Sequence, residues 1–526
     1  MRRMKKKLIV ITGLFISGIN SSLANNITTI HSESDKISQL KKYLSLPNRE
    51  FLYELKHPAD LSLPYYSRDL LVKSYQKIKL DQLENILLNN NPTIKIYLEK
   101  IDQAKSLLRS SLAYWYPTLN LTANGIPQYF ESNNYYPSNS ITETSSKQWS
   151  SSISAQIKWD LINPARRPEI AAAKDGFEKA KYSHSIIIKD LKLEAQKRYF
   201  NLQKVNEEIE VAKKAIESST FGLRNAQTRF ESGIGTKLEI LEAKTQLARD
   251  QQLLNTKIGD QKIGQRELAE ILNLPEDVTP LIDSQTQLIG VWEKTLEESI
   301  IAAYSMREEL NNILLDISIS NSDANSALAA GQPKLSIVNT FTSTFNKGEL
   351  NKISPSSNNE SSSFSNTIGL NASWYLFDGG KSKSLYKFNK RKSEEAKMNF
   401  AKKRAQIRKE VEEVFFKLES AKLNISASYS EILSATESLR LAKLRYKSGI
   451  STQREIVNNQ RDLTDAKVRY IVSITNYNIL LADLGRQTGL IDNIKPCETK
   501  VEEQNPPNLE NSNSLSETNL IPLCQL

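Results

Sequence analysis

Two long stretches of the chain carry apolar residues in steps of three and four. In the first, apolar or mixed residues fall at 188, 191, 195, 202, 205, 209, 212, 216, 223, 226 and 230, with gaps at Arg198 and Ser219. In the second, the series is Ile407, Val411, Val414, Leu418, Ala421, Ile425, Ile432, Ala435, Leu439, Ala442 and Tyr446. A sustained period near 3.5 predicts helices that pack as coiled coils. No proline or glycine pair interrupts them after their first turns, so long helices are expected over 165–231 and 381–447. At about 1.5 Å per residue each is roughly 100 Å long, more than any compact globule needs.

A second pattern has period two. Ile153, Ala155, Ile157, Trp159 and Leu161 alternate with Ser154, Gln156, Lys158 and Asp160. Ile368, Leu370, Ala372, Trp374 and Leu376 alternate with Gly369, Asn371, Ser373 and Tyr375, while "TLNLTANG" and "KLSIVNTF" alternate more weakly. These predict β-hairpins over 114–162 and 332–378. Such strands fit a soluble sheet with one wet face. They equally fit a transmembrane barrel, whose strands of about 9–11 residues set lipid against lumen. Trp159 and Trp374 stand near strand ends, where an interfacial aromatic girdle places them. The polar, Ser/Asn-rich stretches 131–148 and 347–362 read as long extracellular loops.

Both patterns recur in one order because the chain is written twice. "LRNAQTRFESGIGT" (223–236) lies over "LRLAKLRYKSGIST" (439–452) with eight of fourteen positions identical, where chance gives roughly one. "YPTLNLT" matches "QPKLSIV" at the same offset of 216, and "IKWDLINP" matches "ASWYLFDG" at 215. The halves are 81–288 and 296–489, between an N-terminal extension (25–80) of unknown role and a polar tail (490–526). Each half runs helical segment (Asp81 to Ala113, Leu296 to Ala329), β-hairpin, long helix, Ser-Gly-Ile phrase, return helix. The return helices, 236–272 and 452–486, keep a related stripe at Ile240, Leu247 and Leu254, then Ile456, Leu463, Tyr470 and Tyr477.

The Ser-Gly-Ile phrase is therefore the tip of a helical hairpin. Gly233 and Gly449 supply the permissive backbone of a tight reversal. Thr236 and Thr452, each with a glutamate three residues on (Glu239, Glu455), read as capping boxes of the return helices.

Composition narrows the partners. Basic and acidic residues, 70 and 60, are interspersed and give a net charge of +10, a two-signed solvated surface rather than a nucleic-acid footprint. Mean hydropathy is −0.46, which excludes a bundle of membrane-spanning helices. His31, His57 and His184 are far apart, so no metal or cofactor site is expected. The phrase "GIG" (233–235) lacks the strand–loop–helix context of a nucleotide site, and no catalytic constellation appears. "MRRMKKK", the mainly apolar 12-residue run "LIVITGLFISGI" and "SSLANN" form the pattern of a secretory leader over 1–24, the other reading being an uncleaved membrane anchor. In an oxidising compartment Cys497 and Cys524 could pair across the tail. Two hairpins give four strands, too few to close a membrane barrel, which takes about eight. If the strands are lipid-facing, several chains must share one barrel.

With these features the chain resembles the TolC-type outer-membrane efflux family. The resemblance covers about 81–489 and rests on the duplication, "YPTLNL", "NASWYLFDGGKSKS" and the tips "RFESGIGTKLEILEAK" and "RYKSGISTQREIVNNQ". It implies a mainly α fold with transmembrane β: a homotrimer whose 12-strand β-barrel in outer-membrane lipid continues as a periplasmic α-helical coiled-coil barrel. It implies a passive exit duct for efflux or type I secretion. The hairpin tips (Arg229, Ser232, Gly233, Thr236, Arg445, Ser448, Gly449, Thr452) would dock a periplasmic adaptor serving an inner-membrane ABC or proton-driven pump. The entrance would involve Tyr446, Ser451, Glu455, Asn458, Glu239 and Glu242. Tyr446 and Glu455 match the family's aromatic and one acidic gate position; Ser451 and Asn458 replace a basic and a second acidic one. Glu455 is open to two roles, a threefold acidic ring or the capping-box acid alone. The alternative function is a periplasmic coiled-coil adaptor or scaffold without a barrel.

Overall fold

The computed structural model describes residues 74–135, 143–282, 284–350, 360–490 and 495–496. The expected leader, most of the 25–80 extension, Cys497 and Cys524 lie outside them. The chain divides into two units. Within the smaller, described at 74–75 and Pro275–Thr279, the Ser74 N–H donates to the Asp277 carbonyl at 3.2 Å. The larger, Gln76–Leu274 and Pro280–Leu526, carries everything that follows.

The first repeat comprises α1 (Leu80–Asn90), α2 (Pro92–Leu112), β1 (Thr118–Tyr135), β2 (Glu143–Ile162), α3 (Arg166–Glu231) and α4 (Lys237–Leu272). The second comprises α5 (Leu296–Met306), α6 (Glu308–Ala329), β3 (Lys334–Leu350), β4 (Glu360–Ser373), α7 (Lys381–Lys447) and α8 (Gln453–Thr488). The apolar stripes are what the helices bury. On α7, Ile407, Val411, Val414, Leu418, Ala421, Ile425, Leu439, Ala442 and Tyr446 are all buried; on α3, Ala195, Leu202, Ile209, Ala212 and Ala226 are. One core packs Leu83, Leu87 and Ile94 against Phe200, Leu202, Leu268 and Leu272. Its counterpart packs Ala303 and Leu310 against Ile407, Val411, Leu481 and Leu484.

Each leading helical segment is broken once. Asn91 is extended (φ −63°, ψ 121°) because Pro92 follows it. Its side chain caps α2, accepting from the N–H groups of Thr93 (2.8 Å) and Ile94 (3.4 Å), and its amide donates to the Ile271 carbonyl (2.7 Å). The matching break is at Arg307, where no proline forces it. Arg307 is buried and donates to Glu410 (2.6 Å), Glu309 (2.8 Å) and Gln487 (3.0 Å). Arg486 of α8 donates to the same Glu309 (2.8 Å) and to Asp190 of α3 (2.7 Å), tying the repeats together. Burial works to raise the Glu309 pKa, but the two arginines hold it down, to about 2.

The four long strands make one antiparallel sheet, ordered β1-β2-β3-β4, with β2 and β3 joining the repeats at the centre. The register aligns Leu119 with Ile157, Ala155 with Phe341, Trp159 with Ile337, and Ile337 with Leu370. Side chains alternate faces along a strand, so one face is a continuous apolar band. That band is exposed: Leu119, Leu121, Phe364, Ile368 and Leu370 are each 69–73 % accessible. The other face presents Thr122, Ser154, Gln156, Thr340, Thr342 and Thr367. The register shifts between Asp160 and Ile162, so Leu161 does not continue the alternation. β4 ends at Ser373, leaving Trp374, Tyr375 and Leu376 beyond the strand. No helix among the described residues is long and apolar enough to cross a membrane.

Candidate functional site

The reversals at the hairpin tips share one construction. In the first, the N–H groups of Ser232, Gly233 and Ile234 donate to the carbonyls of Thr228, Phe230 and Arg229, each at 3.0 Å. In the second, those of Ser448, Gly449 and Ile450 donate to Leu444, Tyr446 and Arg445, again at 3.0 Å. Gly233 (φ 73°) and Gly449 (φ 72°) adopt the left-handed backbone that ends a helix by turning it back. The Ser232 hydroxyl adds a bond to the Thr228 carbonyl (2.8 Å).

The return helices start differently. Thr236 caps α4, its hydroxyl accepting from the Glu239 N–H at 3.3 Å. Thr452 is extended at the start of α8, but its side chain caps nothing. Neither copy closes a reciprocal capping box, because each glutamate has a better partner than the backbone. Glu239 accepts from the Tyr446 hydroxyl of the other hairpin (2.8 Å). Glu455 accepts from Arg445 of its own hairpin (2.8 Å) and from the Ser451 hydroxyl. A carboxylate gains more from a charged or phenolic donor than from an exposed backbone amide.

Three polar links therefore span the two hairpins near the tips. Tyr446 meets Glu239, with the Arg229 guanidinium 4.7 Å from the Tyr446 ring centre. Arg454 donates to Glu242 at 3.0 Å. Further back, the Ser218 hydroxyl donates to Gln460 at 2.9 Å. Burial, then the Glu239 carboxylate, push the Tyr446 phenol up to about 12. Of the six charged groups here, Arg229 lies 3.9 Å from Glu239, Arg454 faces Glu242 and Arg445 faces Glu455. These six groups thus form three oppositely charged pairs, and the Glu455 carboxylate is engaged within its own chain. Asn458 is exposed beside them, and its side chain makes no hydrogen bond among the described residues. Behind the clasp a cleft of about 410 Å³ separates the hairpins, lined by Phe221, Gln246, Gln453 and Ile456 among others.

Some tip residues lay outside the sequence reading. Arg454 is the cation that engages Glu242. Inside the first hairpin, Lys257 pairs with buried Glu208 (2.7 Å), and Gln246 donates to buried Asp250 (2.9 Å). The row 243, 250, 257 interleaves with 240, 247, 254 at steps of three and four. Extending the stripe to that row would have placed both charges on the packed seam.

At the far end of each repeat a tryptophan is fixed in the same way. The Trp159 indole donates to the Trp115 carbonyl (3.0 Å) and that of Trp374 to the Gly331 carbonyl (3.1 Å). Both rings stay exposed.

A family model described as outer membrane efflux protein matches the chain over residues 83–274 and 302–489. No curated protein matches it. Among solved structures, the outer-membrane channel OprN is 16 % identical with a TM-score of 0.65, covering 78 % of this chain and 89 % of that one. The CmeC outer membrane channel of Campylobacter jejuni is 17 % identical with a TM-score of 0.63, covering 78 % and 86 %. The open-state MtrE outer membrane channel of Neisseria gonorrhoeae is 17 % identical with a TM-score of 0.58, covering 78 % and 89 %. At these identities the likeness is one of fold.

Proposed function

The chain belongs to the outer membrane efflux protein family, and from that premise we propose that three copies assemble into one exit duct that is closed at its hairpin tips. As a member of that family it is an outer-membrane efflux channel with a periplasmic helical domain, and not an enzyme. The trimer rests on the sheet. Its apolar face is exposed across all four strands, and β1 and β4 each have an unpaired edge. In hydrocarbon an open edge leaves backbone groups unsatisfied at several kcal/mol each. Four strands cannot curl into a closed barrel, whereas three copies joined edge to edge supply twelve, within the range of such barrels. The alternative of a coiled-coil scaffold without a barrel leaves the apolar face unexplained.

The tips form the entrance in this proposal. Opening separates the hairpins and breaks Tyr446–Glu239 and Arg454–Glu242, a sliding of packed helices. The same turns, with Arg229, Ser232, Thr236, Arg445, Ser448 and Thr452 at the end of the helices, offer the docking surface for a periplasmic adaptor. That adaptor connects to an inner-membrane pump, which supplies the energy. Native mass spectrometry of the protein extracted from outer membranes tests the assembly. A mass of three chains is expected; a monomer, or a chain found only in the soluble periplasm, would refute it.

A further inference from the structure

We propose that the start of α7 is a docking surface for anionic phospholipid headgroups at the periplasmic rim of the membrane; the inference rests on the outer-membrane reading above. Along β4 the exposed apolar face runs through Phe364, Ile368 and Leu370. Immediately after it come Trp374, Tyr375, Leu376 and Phe377, all exposed, the last at 87 %. α7 then opens with Lys381, Lys383, Lys387, Lys390, Arg391 and Lys392. The order of apolar band, aromatic belt and cations is the depth profile of a bilayer leaflet from hydrocarbon through interface to headgroups.

The fold engages only part of this set: Lys390 donates to Asn321 at 3.0 Å and the charge of Lys392 acts on Asp323. Residues 381–393 hold six cations and no acid, while the repeat's counterpart, 165–177, holds three cations and two acids. Both segments begin a helix of the same length class, 67 and 66 residues, so the charge excess is no requirement of the helix. Lys383, Lys387 and Arg391 stand at i, i+4 and i+8, all exposed; the charge of Arg391 acts on Glu394, and none of the three makes a direct ion pair among the described residues. Like charges at that spacing repel, and cations in a first turn oppose the helix dipole. The local cap is already made by Asp378, which accepts from the N–H groups of Gly380 and Ser382, each at 2.9 Å. An anion outside the chain relieves both unfavourable terms, and a row of lipid phosphates is the anion that the adjoining apolar and aromatic surfaces bring within reach.

The test uses the full-length protein in vesicles of phosphatidylcholine with added phosphatidylglycerol. The readout is the association of spin-labelled phosphatidylglycerol relative to spin-labelled phosphatidylcholine. Wild-type protein is expected to prefer the anionic lipid, and the preference to fall as salt is raised. Lys383→Gln/Lys387→Gln/Arg391→Gln should lose about fivefold per cation removed at low salt. Arg167→Gln/Lys174→Gln, at the counterpart position, should leave the preference intact. Equal preference in wild type and triple variant would overturn the proposal. So would an unchanged lipid preference with lost binding to isolated peptidoglycan, which assigns the cations to the wall polymer instead. Failure of wild-type protein to float with vesicles would overturn the membrane reading itself, and this proposal with it.

Discussion

The two helical hairpins share a backbone plan but not an interior. In the first, formed by α3 and α4, the packed seam holds Glu208 against Lys257, with Asp260 at 3.5 Å, and Gln246 against Asp250. In the second, α7 and α8 place Asn424, Ser473 and Asn476 at the equivalent of the charged trio, where they line a groove of about 550 Å³. Ala466, fully buried, stands where the first hairpin has Asp250. The tips diverge in the same sense. The first hairpin offers a capped helix and a carboxylate; the second offers an uncapped helix and the phenol that takes that carboxylate. Duplication keeps the stripes and turns that any such hairpin needs. Divergence has put complementary polar groups on the two copies, so the link between the hairpins is a property of the pair.

The largest expected effect breaks the seam of the first hairpin alone. Lys257→Met leaves the Glu208 carboxylate buried without its cation and should cost about 3 kcal/mol of unfolding stability, since losing one partner of a buried pair costs about 3–5 and this lysine keeps some solvent contact. Glu208→Leu/Lys257→Met should recover most of that loss in denaturant unfolding of the detergent-solubilised protein. Ser473→Met, the equivalent change in the second hairpin, should move stability far less.

Next comes the clasp. Tyr446→Phe removes one hydrogen bond to a charged group, worth about 2 kcal/mol, and should raise the open-to-closed ratio roughly thirtyfold in planar-bilayer recordings. Phe230→Tyr, at the exposed counterpart, should change little. The phenol is favoured protonated in the fold, with its pKa raised from 10.0 to about 12. The stabilisation is therefore full below 10.0, and openings should rise in wild type, but not in Tyr446→Phe, as pH climbs through about 12.

Two smaller effects sharpen the contrast. Thr236→Ala should cost about 1 kcal/mol as a lost cap, whereas Thr452→Ala should cost only a few tenths, about what a residue with no cap bond contributes. Asp250 has its pKa raised above 3.8, chiefly by burial. The protonated form is the one the fold favours, so its contribution is present below 3.8 and is lost as pH rises through the raised value. Asp250→Asn should remove that slope from the pH dependence of stability; an unchanged slope would place it elsewhere.

The fold was legible where one residue type carries one physical demand. The stripe from Ile407 to Tyr446 could be buried only on one side of a helix, and the alternation from Ile153 to Trp159 could be served only by a strand with two unlike faces. Pro92 announces the break between α1 and α2. The matching break at Arg307 has no such signature: besides its near neighbour Glu309, the buried guanidinium is held by Glu410 on α7 and Gln487 on α8, both more than 100 positions away. Alternation read through Trp374 and Leu376 overran the strand, since the same residues suit an exposed interfacial turn. At the tips, glycine spacing betrays the reversals through backbone geometry alone. The pairing of Glu239 with Tyr446 and of Glu242 with Arg454 could not be read, because residues more than 200 positions apart meet there. The capping box of Glu239 failed for the same reason, whereas that of Glu455 failed locally: Arg445 across the turn and Ser451 four residues back are stronger donors than the backbone amide.

The central claim is that closure lies between the hairpins of one chain. Glu242→Cys/Arg454→Cys, in a background with Cys497 and Cys524 replaced by serine, puts a removable bond at the cross-hairpin link. Planar-bilayer conductance should remain in the closed level when the pair is oxidised and rise to sustained openings when it is reduced. Equal conductance in the oxidised and reduced states, with the disulfide verified by mass, would contradict the account.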